Sequence, residues 1–263
     1  MELGLRGSTA VVCAASKGIG LAFAESLAKE GCNLILNSRD KQLLSSICIQ
    51  LSDSFGVSAY PVAGDLKDPH THQLLYDIAI EKFSGIDILF TNCGGPQPNE
   101  YMDISDDDWL NGFNSLFMPL VRLSRLFSPV MIDKGYGRII NLGSSLMLEP
   151  TAGMILSSSI RASAMVFTKA LSRSLAPHGI TVNTISTGGV MTERLTNLIT
   201  KSASNNNISF SEQLKNTSSS IPIGRFASPQ EFVQGILFLA SKQSSYITGS
   251  CLSIDGGLLH SIC

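Results

Sequence analysis

Short apolar segments alternate with longer amphipathic segments along the whole chain. The short segments are rich in β-branched residues, which is typical of strands buried on both faces of a sheet. The longer segments carry apolar residues at helical spacing, and in the first of them Phe23, Ala24, Leu27 and Ala28 share one face. Repeated strand–helix units predict a parallel sheet with helices on both sides. The predicted strands cover about 10–13, 33–37, 58–62, 86–92, 138–142, 181–186 and 252–254.

The fold class predicted by this pattern is α/β, with a doubly wound parallel sheet of about seven strands. A chain of 263 residues suits one such domain or two small ones. No proline-rich linker or internal repeat divides it, so we expect one domain over 1–263. Polar residues that accept hydrogen bonds from free N–H groups mark several helix starts. The predicted N-caps are Asp40, Asp68 before Pro69, Ser105 before three aspartates, and Ser228 in a capping box with Glu231.

The segment from about 191 to 221 departs from the alternation. Its centre, 201–220, is polar and rich in serine and asparagine, which predicts irregular structure. One interpretation is a mobile surface excursion. The other is a lid over a substrate pocket at the carboxyl ends of the strands. We favour the lid, because long excursions in compact domains are usually functional or disordered.

The predicted helix at about 157–175 has two apolar or small-residue faces. A helix of this kind is either fully buried or shared with another subunit. We therefore expect a homo-dimer or homo-tetramer. The first face carries Ile160, Ala164, Phe167 and Leu171, and the second carries Ala162, Val166 and Ala170.

Composition and charge narrow the class of protein. Hydrophobic residues make up 44% of the chain and the net charge is −2, which does not favour nucleic-acid or membrane-surface binding. We find no signal-like start and no run long enough to span a bilayer, so we expect a cytoplasmic protein. The six cysteines form no CxxC pair and the four histidines form no ligand cluster, so we expect free thiols and no metal site.

A glycine turn joins the first predicted strand to the first predicted helix. Its glycines, Gly18 and Gly20, allow a tight bend and a close approach of a phosphate to the backbone. The helix that follows offers free N–H groups and the positive end of its dipole to such a phosphate. The turn therefore favours a dinucleotide site, although a tight turn with no ligand has the same pattern.

Several motifs, in order and spacing, resemble those of the short-chain dehydrogenase/reductase family in its single-domain Rossmann form. The resemblance extends from residue 5 to about 257, and each motif is weak by itself. The motifs are 13–20, similar to the family's Thr-Gly-x-x-x-Gly-x-Gly; 91–94, similar to Asn-Asn-Ala-Gly; Thr187-Gly188 with Thr192, similar to its Pro-Gly and following threonine; and 224–231, 247–249 and 255–257 near the end.

This resemblance implies which residues hold a nicotinamide dinucleotide. Gly18, Ile19 and Gly20 are expected against the pyrophosphate, and Thr192 at the carboxamide. Asp65, at the end of the third strand, is expected to bind the adenine amino group. Asp65 and Thr192 have a second interpretation as turn caps. The complete implied set is Ser16, Lys17, Gly18, Ile19, Gly20, Ser38, Arg39, Asp65, Leu66, Asn92, Gly94, Arg161, Gly188, Val190 and Thr192.

The end of the second strand bears on cofactor choice. NAD-using members of the family place an acid there, whereas this chain has Ser38 followed by Arg39, with Lys17 beside the glycine turn. Two cations and no acid suit a 2′-phosphate, which arginine can bind with two parallel hydrogen bonds. We expect NADP(H) in preference to NAD(H), although both cations are also compatible with ordinary surface charges.

The family's catalytic asparagine, serine, tyrosine and lysine align here with Leu116, Ser144, Ser157 and Arg161. Only the serine is kept, and serine and arginine are poorer proton donors than tyrosine. Some family members carry Gly-Gly-Pro after the fourth strand and Ser-x-x-x-Arg at this place, and many are labelled oxoacyl-carrier-protein reductases. Tyr101 is a candidate replacement acid, although a packing role for it is favoured.

The function that these features predict is an NADP(H)-dependent oxidoreductase for a small-molecule carbonyl or secondary alcohol, with altered catalytic residues Ser144, Ser157 and Arg161. The alternative is a catalytically silent NADP(H)-binding protein used for sensing or assembly. An intact cofactor site beside a changed set of catalytic residues favours that alternative. A fold alone does not decide between the two.

Overall fold

The chain folds around one seven-stranded parallel sheet with strand order β3-β2-β1-β4-β5-β6-β7. A computed structural model describes residues 2–96, 98 and 100–261. The prediction of a doubly wound α/β sheet of about seven strands is confirmed. The strands are β1 (Thr9–Val12), β2 (Asn33–Ser38), β3 (Ala59–Ala63), β4 (Ile88–Thr91), β5 (Gly137–Leu142), β6 (Ile180–Thr187) and β7 (Cys251–Ile254).

Helices cover both faces of this sheet. Successive strand residues point to opposite faces, so Val12 joins the core on one side and Val11 joins the core on the other. The first core packs against α1, α2 and α9, and the second packs against α3, α5 and α6. The helices are α1 (Gly18–Lys29), α2 (Lys41–Phe55), α3 (Pro69–Phe83), α4 (Asp106–Leu116), α5 (Met118–Lys134), α6 (Ile155–Leu175), α7 (Glu193–Asn205), α8 (Phe210–Ser218) and α9 (Pro229–Ala240).

The sequence order of the strands reverses at β1, which pairs with both β2 and β4. Val11 is in register with Ile35 on one side and with Leu89 on the other. In open α/β sheets the helices after two such strands leave towards opposite faces, and a crevice opens at their carboxyl ends. This topology places the glycine turn after β1 beside the loop after β4.

The predicted helix caps are present. The Asp40 carboxylate accepts from Leu43 N at 3.0 Å, and the Asp68 carboxylate accepts from His70 N at 2.9 Å. Ser105 and Ser228 both form complete capping boxes. These four N-cap residues therefore mark where four of the helices begin, as the sequence predicts.

Three boundaries differ from the sequence predictions. The sequence pattern predicts one helix from the Ser105 cap to about Lys134, whereas the structure interrupts it at Phe117, and Pro119 occupies the start of α5. The strand expected to end in Asp65 ends at Ala63, so Asp65 lies in the following turn. Helix α6 begins at Ile155, earlier than the expected Ser157.

The segment expected to be irregular, 191–221, instead contains helices α7 and α8. Thr192 caps α7 by accepting from Leu195 N, and Ser209 caps α8 by accepting from Glu212 N. Ile199 and Ala203 of α7 are buried, so a narrow apolar face holds this polar helix on the domain. The helix was not predicted because the segment is mostly polar, and a helix that buries only a narrow apolar face gives a weak hydrophobic pattern.

The helical stretch Asp106–Lys134 is long and apolar enough to cross a membrane by length and composition, with a window of mean hydropathy 1.3. The expectation that no run reaches that length was therefore too strict. Within this stretch Leu123, Phe127 and Met131 are fully buried in the core against the sheet. Core helices of soluble proteins can have the same length and composition, and 44% of this apolar segment is buried inside the fold.

Candidate active site

A cleft of about 860 Å³ lies at the carboxyl ends of the strands, between the glycine turn and helix α7. Its walls come from the turn after β1, the ends of β2 and β3, the loops after β4, β5 and β6, and the first turn of α7. Every predicted site residue except Gly20 lines it. These residues are Ser16, Lys17, Gly18, Ile19, Ser38, Arg39, Asp65, Leu66, Asn92, Gly94, Ser144, Ser157, Arg161, Gly188, Val190 and Thr192.

The two glycines of the glycine turn have different structural roles. Gly18 has φ of +58°, which favours glycine, and it opens α1 towards the cleft. Gly20 is buried, and a Cβ there would lie 2.2 Å from the Ala14 carbonyl oxygen. Gly20 does not line the cleft, and the lack of a Cβ there lets α1 pack closely on the turn. Its contact with a pyrophosphate stays a prediction.

The same turn contains a residue in an unusual conformation. Ala14, which stands where the family pattern has its first glycine, has φ of +51°. Hydrogen bonds on either side hold it, from Cys13 N to Phe90 O at 3.1 Å and from Ala15 N to Asn37 O at 2.8 Å. The backbone of this turn therefore keeps a left-handed residue although the glycine that favours it is missing.

Two cations stand near the turn and the end of β2, but they are not equivalent. Lys17 donates to Glu193 of α7 at 3.0 Å, and both side chains are exposed. Arg39 is exposed and forms no ion pair within the part of the chain that the structure describes. The neighbouring Asp40 is occupied in capping α2. Arg39 is thus the uncommitted cation at the end of β2, while the charge of Lys17 is partly neutralised.

Asp65 and Thr192 have the turn-cap contacts of their second interpretation. Asp65 Oδ1 accepts from Lys67 N at 2.9 Å, and Thr192 Oγ1 accepts from Leu195 N at 3.4 Å. Both residues also line the cleft. A carboxylate retains further acceptor sites and a hydroxyl retains its donor, so capping does not exclude ligand contacts.

The loops after β4 and β6 leave open space and an uncommitted polar atom. A Cβ added to Gly94 would meet no atom within 4 Å. Thr187 at the end of β6 lines the cleft, and its buried hydroxyl has no hydrogen-bond partner among the described residues. A buried hydroxyl without a partner is unfavourable, which is consistent with a ligand that satisfies it.

Ser144, Ser157 and Arg161 lie together on the wall formed by β5 and α6. Arg161 Nε donates to Ser157 Oγ at 3.3 Å, and Arg161 Nη1 donates to the Leu142 carbonyl at 3.1 Å. The pair lies one helical turn apart on α6, which is why the two side chains meet. Ser144 Oγ accepts from Leu146 N at 3.3 Å, so its own hydroxyl proton stays available.

Leu116 and Tyr101, which the sequence analysis also considered as catalytic positions, do not line the cleft. Leu116, at the position of the family's asparagine, is buried with Leu156 and Ile160 in a small apolar cluster. Tyr101 is 61% exposed and does not line the cleft, so neither a role as acid nor one in packing is supported.

Sequence reasoning missed Arg194, the second residue of α7. It lines the cleft and donates to the carbonyls of Gly95 at 2.9 Å and Pro96 at 3.0 Å. Burial lowers the pKa of Arg194, and the charge of Arg161 lowers it further. The sequence pattern predicts no helix here, so it gives no signal that Arg194 lies in the first turn of one, where a cation opposes the helix dipole.

Cys93 is the cleft residue with a thiol. Burial raises the pKa of Cys93, while the charge of Arg161 acts in the opposite direction. Among the described residues, no three His, Cys, Asp or Glu side chains group together as a metal site would require. The groups beside Ser144 on the wall formed by β5 and α6 are therefore hydroxyls, a guanidinium group and backbone groups.

Comparisons with known proteins agree with this architecture. Residues 13–259 match a family model described as enoyl-(acyl carrier protein) reductase. The chain is 32% identical over 255 residues to the NADPH-dependent reductase BacG of Bacillus subtilis, covering 97% of this chain and 98% of that protein. It is 31% identical over 256 residues to the 3-oxoacyl-[acyl-carrier-protein] reductase FabG of Vibrio harveyi, covering 97% and 99%.

A solved structure is also similar over the full length. The L-sorbose reductase from Gluconobacter frateurii, complexed with NADPH and L-sorbose, aligns with a TM-score of 0.96 and 32% identity. The alignment covers 100% of both chains. By its fold, its motifs and these similarities, the chain belongs to the short-chain dehydrogenase/reductase family of oxidoreductases and is similar in sequence to that family's 3-oxoacyl-carrier-protein reductases.

Proposed function

We propose that this protein is an NADP(H)-dependent oxidoreductase that interconverts a small-molecule carbonyl compound and its secondary alcohol, with altered acid–base residues. The observation that carries the proposal is one cleft that holds the glycine turn, Arg39 and the Ser144, Ser157 and Arg161 side chains. Cofactor-binding and reacting groups are thereby within reach of one bound dinucleotide and one small molecule.

The residues of the cleft fit this cofactor. The positive end of α1 faces the cleft and has no acidic residue in its first turn, which suits a pyrophosphate. Among the described residues, Arg39 forms no ion pair at the end of β2, where a 2′-phosphate would lie, and the hydroxyl of Thr187 in the cleft wall has no hydrogen-bond partner. The cofactor is NADP(H) rather than NAD(H), in keeping with the NADPH of the Gluconobacter enzyme and of BacG.

When bound, NADPH supplies a hydride to the carbonyl carbon, and the chain must deliver a proton to the carbonyl oxygen. Ser157 Oγ accepts a charged hydrogen bond from Arg161, which makes its own O–H a stronger donor. Ser144 offers a second hydroxyl to the same oxygen. We assign Ser157, with Arg161 behind it, as the group that passes a solvent proton, and Ser144 as the group that orients the carbonyl.

The proposal includes a lid and an oligomer. Helices α7 and α8, within 191–221, form the lid, because Glu193 and Arg194 bridge the cleft to Lys17 and to the loop after β4. In α6, Val166 is 66% exposed and Ala170 is also exposed, although the opposite face is buried. We assign this uncovered face to a homo-dimer or homo-tetramer contact in a soluble, cytoplasmic protein.

The test is NADPH oxidation screened across ketones, quinones, sugars and oxoacyl thioesters, with nucleotide binding measured in parallel by calorimetry. We expect turnover that Ser144→Ala lowers about 100-fold, as for loss of one oxyanion donor, with unchanged NADPH affinity. Arg161→Ala lowers both turnover and affinity. Ser145→Ala is the matched control, because Ser145 does not line the cleft. Nucleotide binding without any turnover contradicts the proposal and supports a silent binding protein.

A further inference from the structure

Two arginines from different elements reach the same point of the cleft. The position that a Cβ would take on Gly95 lies 3.3 Å from Arg194 Nη2 and 3.6 Å from Arg161 Nη2. Arg161 comes from α6 and Arg194 from α7, so the two guanidinium groups meet across the cleft beside the loop after β4. The glycine provides the space, because a side chain there would contact both nitrogens.

Neither guanidinium group has an acidic partner in the described part of the chain. The acids that line the cleft are engaged elsewhere. Asp65 caps its own turn, Asp108 accepts from Ser105, and Glu193 pairs with Lys17. The two like charges are therefore uncompensated at the wall of the cleft, where Arg161 is half-buried and Arg194 is exposed, and a bound anion would relieve their repulsion.

The donors of both arginines are only partly used. Arg194 donates to the carbonyls of Gly95 and Pro96, and Arg161 donates to Ser157 and Leu142. Among the described residues, Arg194 Nε and Arg161 Nη2 have no hydrogen-bond partner. Backbone contacts fix the direction of each guanidinium plane. A carboxylate, with two oxygens and four acceptor sites, matches two fixed guanidinium groups.

We propose that Arg161 and Arg194 bind the carboxylate of the substrate, so that the substrate is a 2-oxo- or 3-oxoacid. This inference rests on the proposed function. The anion site is close to the reacting groups, because Arg161 Nε is 3.3 Å from Ser157 Oγ. The carboxylate thus lies one or two carbons from the carbonyl. Hydride adds to the carbonyl carbon, a solvent proton passes through Ser157 to its oxygen, and the products are a hydroxyacid and NADP⁺.

The test compares matched acids and neutral esters: 2-oxobutanoate with its methyl ester, and acetoacetate with methyl acetoacetate. Because Arg194→Met also removes the contacts with Gly95 and Pro96, the readout is the ratio of kcat/KM for each acid to kcat/KM for its ester. We expect the variant to lower this ratio about 10- to 100-fold, as for loss of a hydrogen bond to a charged group. Arg194→Lys keeps the charge and is expected to fall in between. Lys201→Met, on the exposed face of the same helix, is the control for loss of a cation.

Calorimetric titration of the NADP⁺-saturated protein with 2-oxobutanoate gives a readout that does not need turnover. Binding that Arg194→Met abolishes supports the anion site even if no substrate is reduced, in which case only the proposed function fails. Equal use of acids and esters, with no effect of Arg194→Met on their ratio, overturns the anion site and leaves the reductase intact. Loss of NADP⁺ affinity in Arg194→Met with an unchanged acid-to-ester ratio also overturns it, because the pair then binds a cofactor phosphate.

Discussion

Replacing Ala14 with glycine is expected to stabilise the protein. Ala14 has φ of +51°, a left-handed conformation that disfavours a side chain by roughly 1–2 kcal/mol relative to glycine. Glycine also makes the unfolded chain more flexible, which opposes the gain by about 0.4–1 kcal/mol. The balance predicts that Ala14→Gly raises the free energy of unfolding by about 0.5–1 kcal/mol.

The neighbouring residue supplies a matched control. Ala15 is fully buried, and its φ is not positive. Ala15→Gly therefore loses one buried methyl group, worth about 0.8 kcal/mol, in addition to the same unfolded-state effect. We expect this variant to be destabilised by about 1–2 kcal/mol, opposite in sign to Ala14→Gly.

The assay is urea unfolding at fixed protein concentration without added nucleotide, supported by thermal melts. For a domain of this size 1 kcal/mol shifts Tm by roughly 2–4 °C, so the two variants fall on opposite sides of the parent protein. If Ala14→Gly is destabilised as much as Ala15→Gly, the turn does not hold Ala14 in a strained conformation and the reasoning is refuted.

Three further predictions concern cofactor choice, assembly and thiol chemistry. Arg39→Asp is expected to reverse the preference for NADPH over NADH. Loss of roughly 1.5–3 kcal/mol of charged hydrogen bonding changes the ratio of the two affinities by tenfold or more. Equal calorimetric affinities of the parent protein for NADPH and NADH contradict this prediction. Val166→Arg is expected to dissociate the oligomer, because it buries an unpaired charge in the contact between subunits. If light scattering shows that the parent protein is already a monomer at micromolar concentration, the proposed subunit contact is refuted. Burial raises the pKa of Cys13, Cys32 and Cys48 to about 12. We therefore expect iodoacetamide at pH 8 to modify these thiols only after the protein unfolds. Rapid labelling of the native protein, measured by mass spectrometry, contradicts their burial.

The fold was predictable because its signals are local. β-Branched runs such as Val11-Val12 fit only the buried centre of a parallel sheet, and the alternation of strands and helices then leaves few topologies. The helix starts at Asp40 and Ser105 were predictable for the same reason, since a cap and the N–H that it satisfies lie three residues apart.

Contacts between distant parts of the chain were not predictable. The ion pair of Lys17 with Glu193 and the contact of Arg194 with Gly95 join residues far apart in sequence, and they exist only because β1, β4 and β6 end at one edge of the sheet. The packing role of Gly20 was not predictable for a related reason. The sequence shows that a glycine is present, and only the packed structure shows that Ala14 O occupies the place of its Cβ.

The central claim, hydride transfer from NADPH to a carbonyl carbon in this cleft, is tested most directly by isotope transfer. The protein is incubated with a carbonyl compound from the screen and with NADPH in which both hydrogens on C4 of the nicotinamide are replaced by deuterium, and the product is analysed by mass spectrometry. We predict an alcohol one mass unit heavier, with the deuterium on the carbinol carbon and its formation strongly reduced by Ser144→Ala. NADPH consumption without deuterium in the product, or no alcohol from any carbonyl compound tested, contradicts the claim.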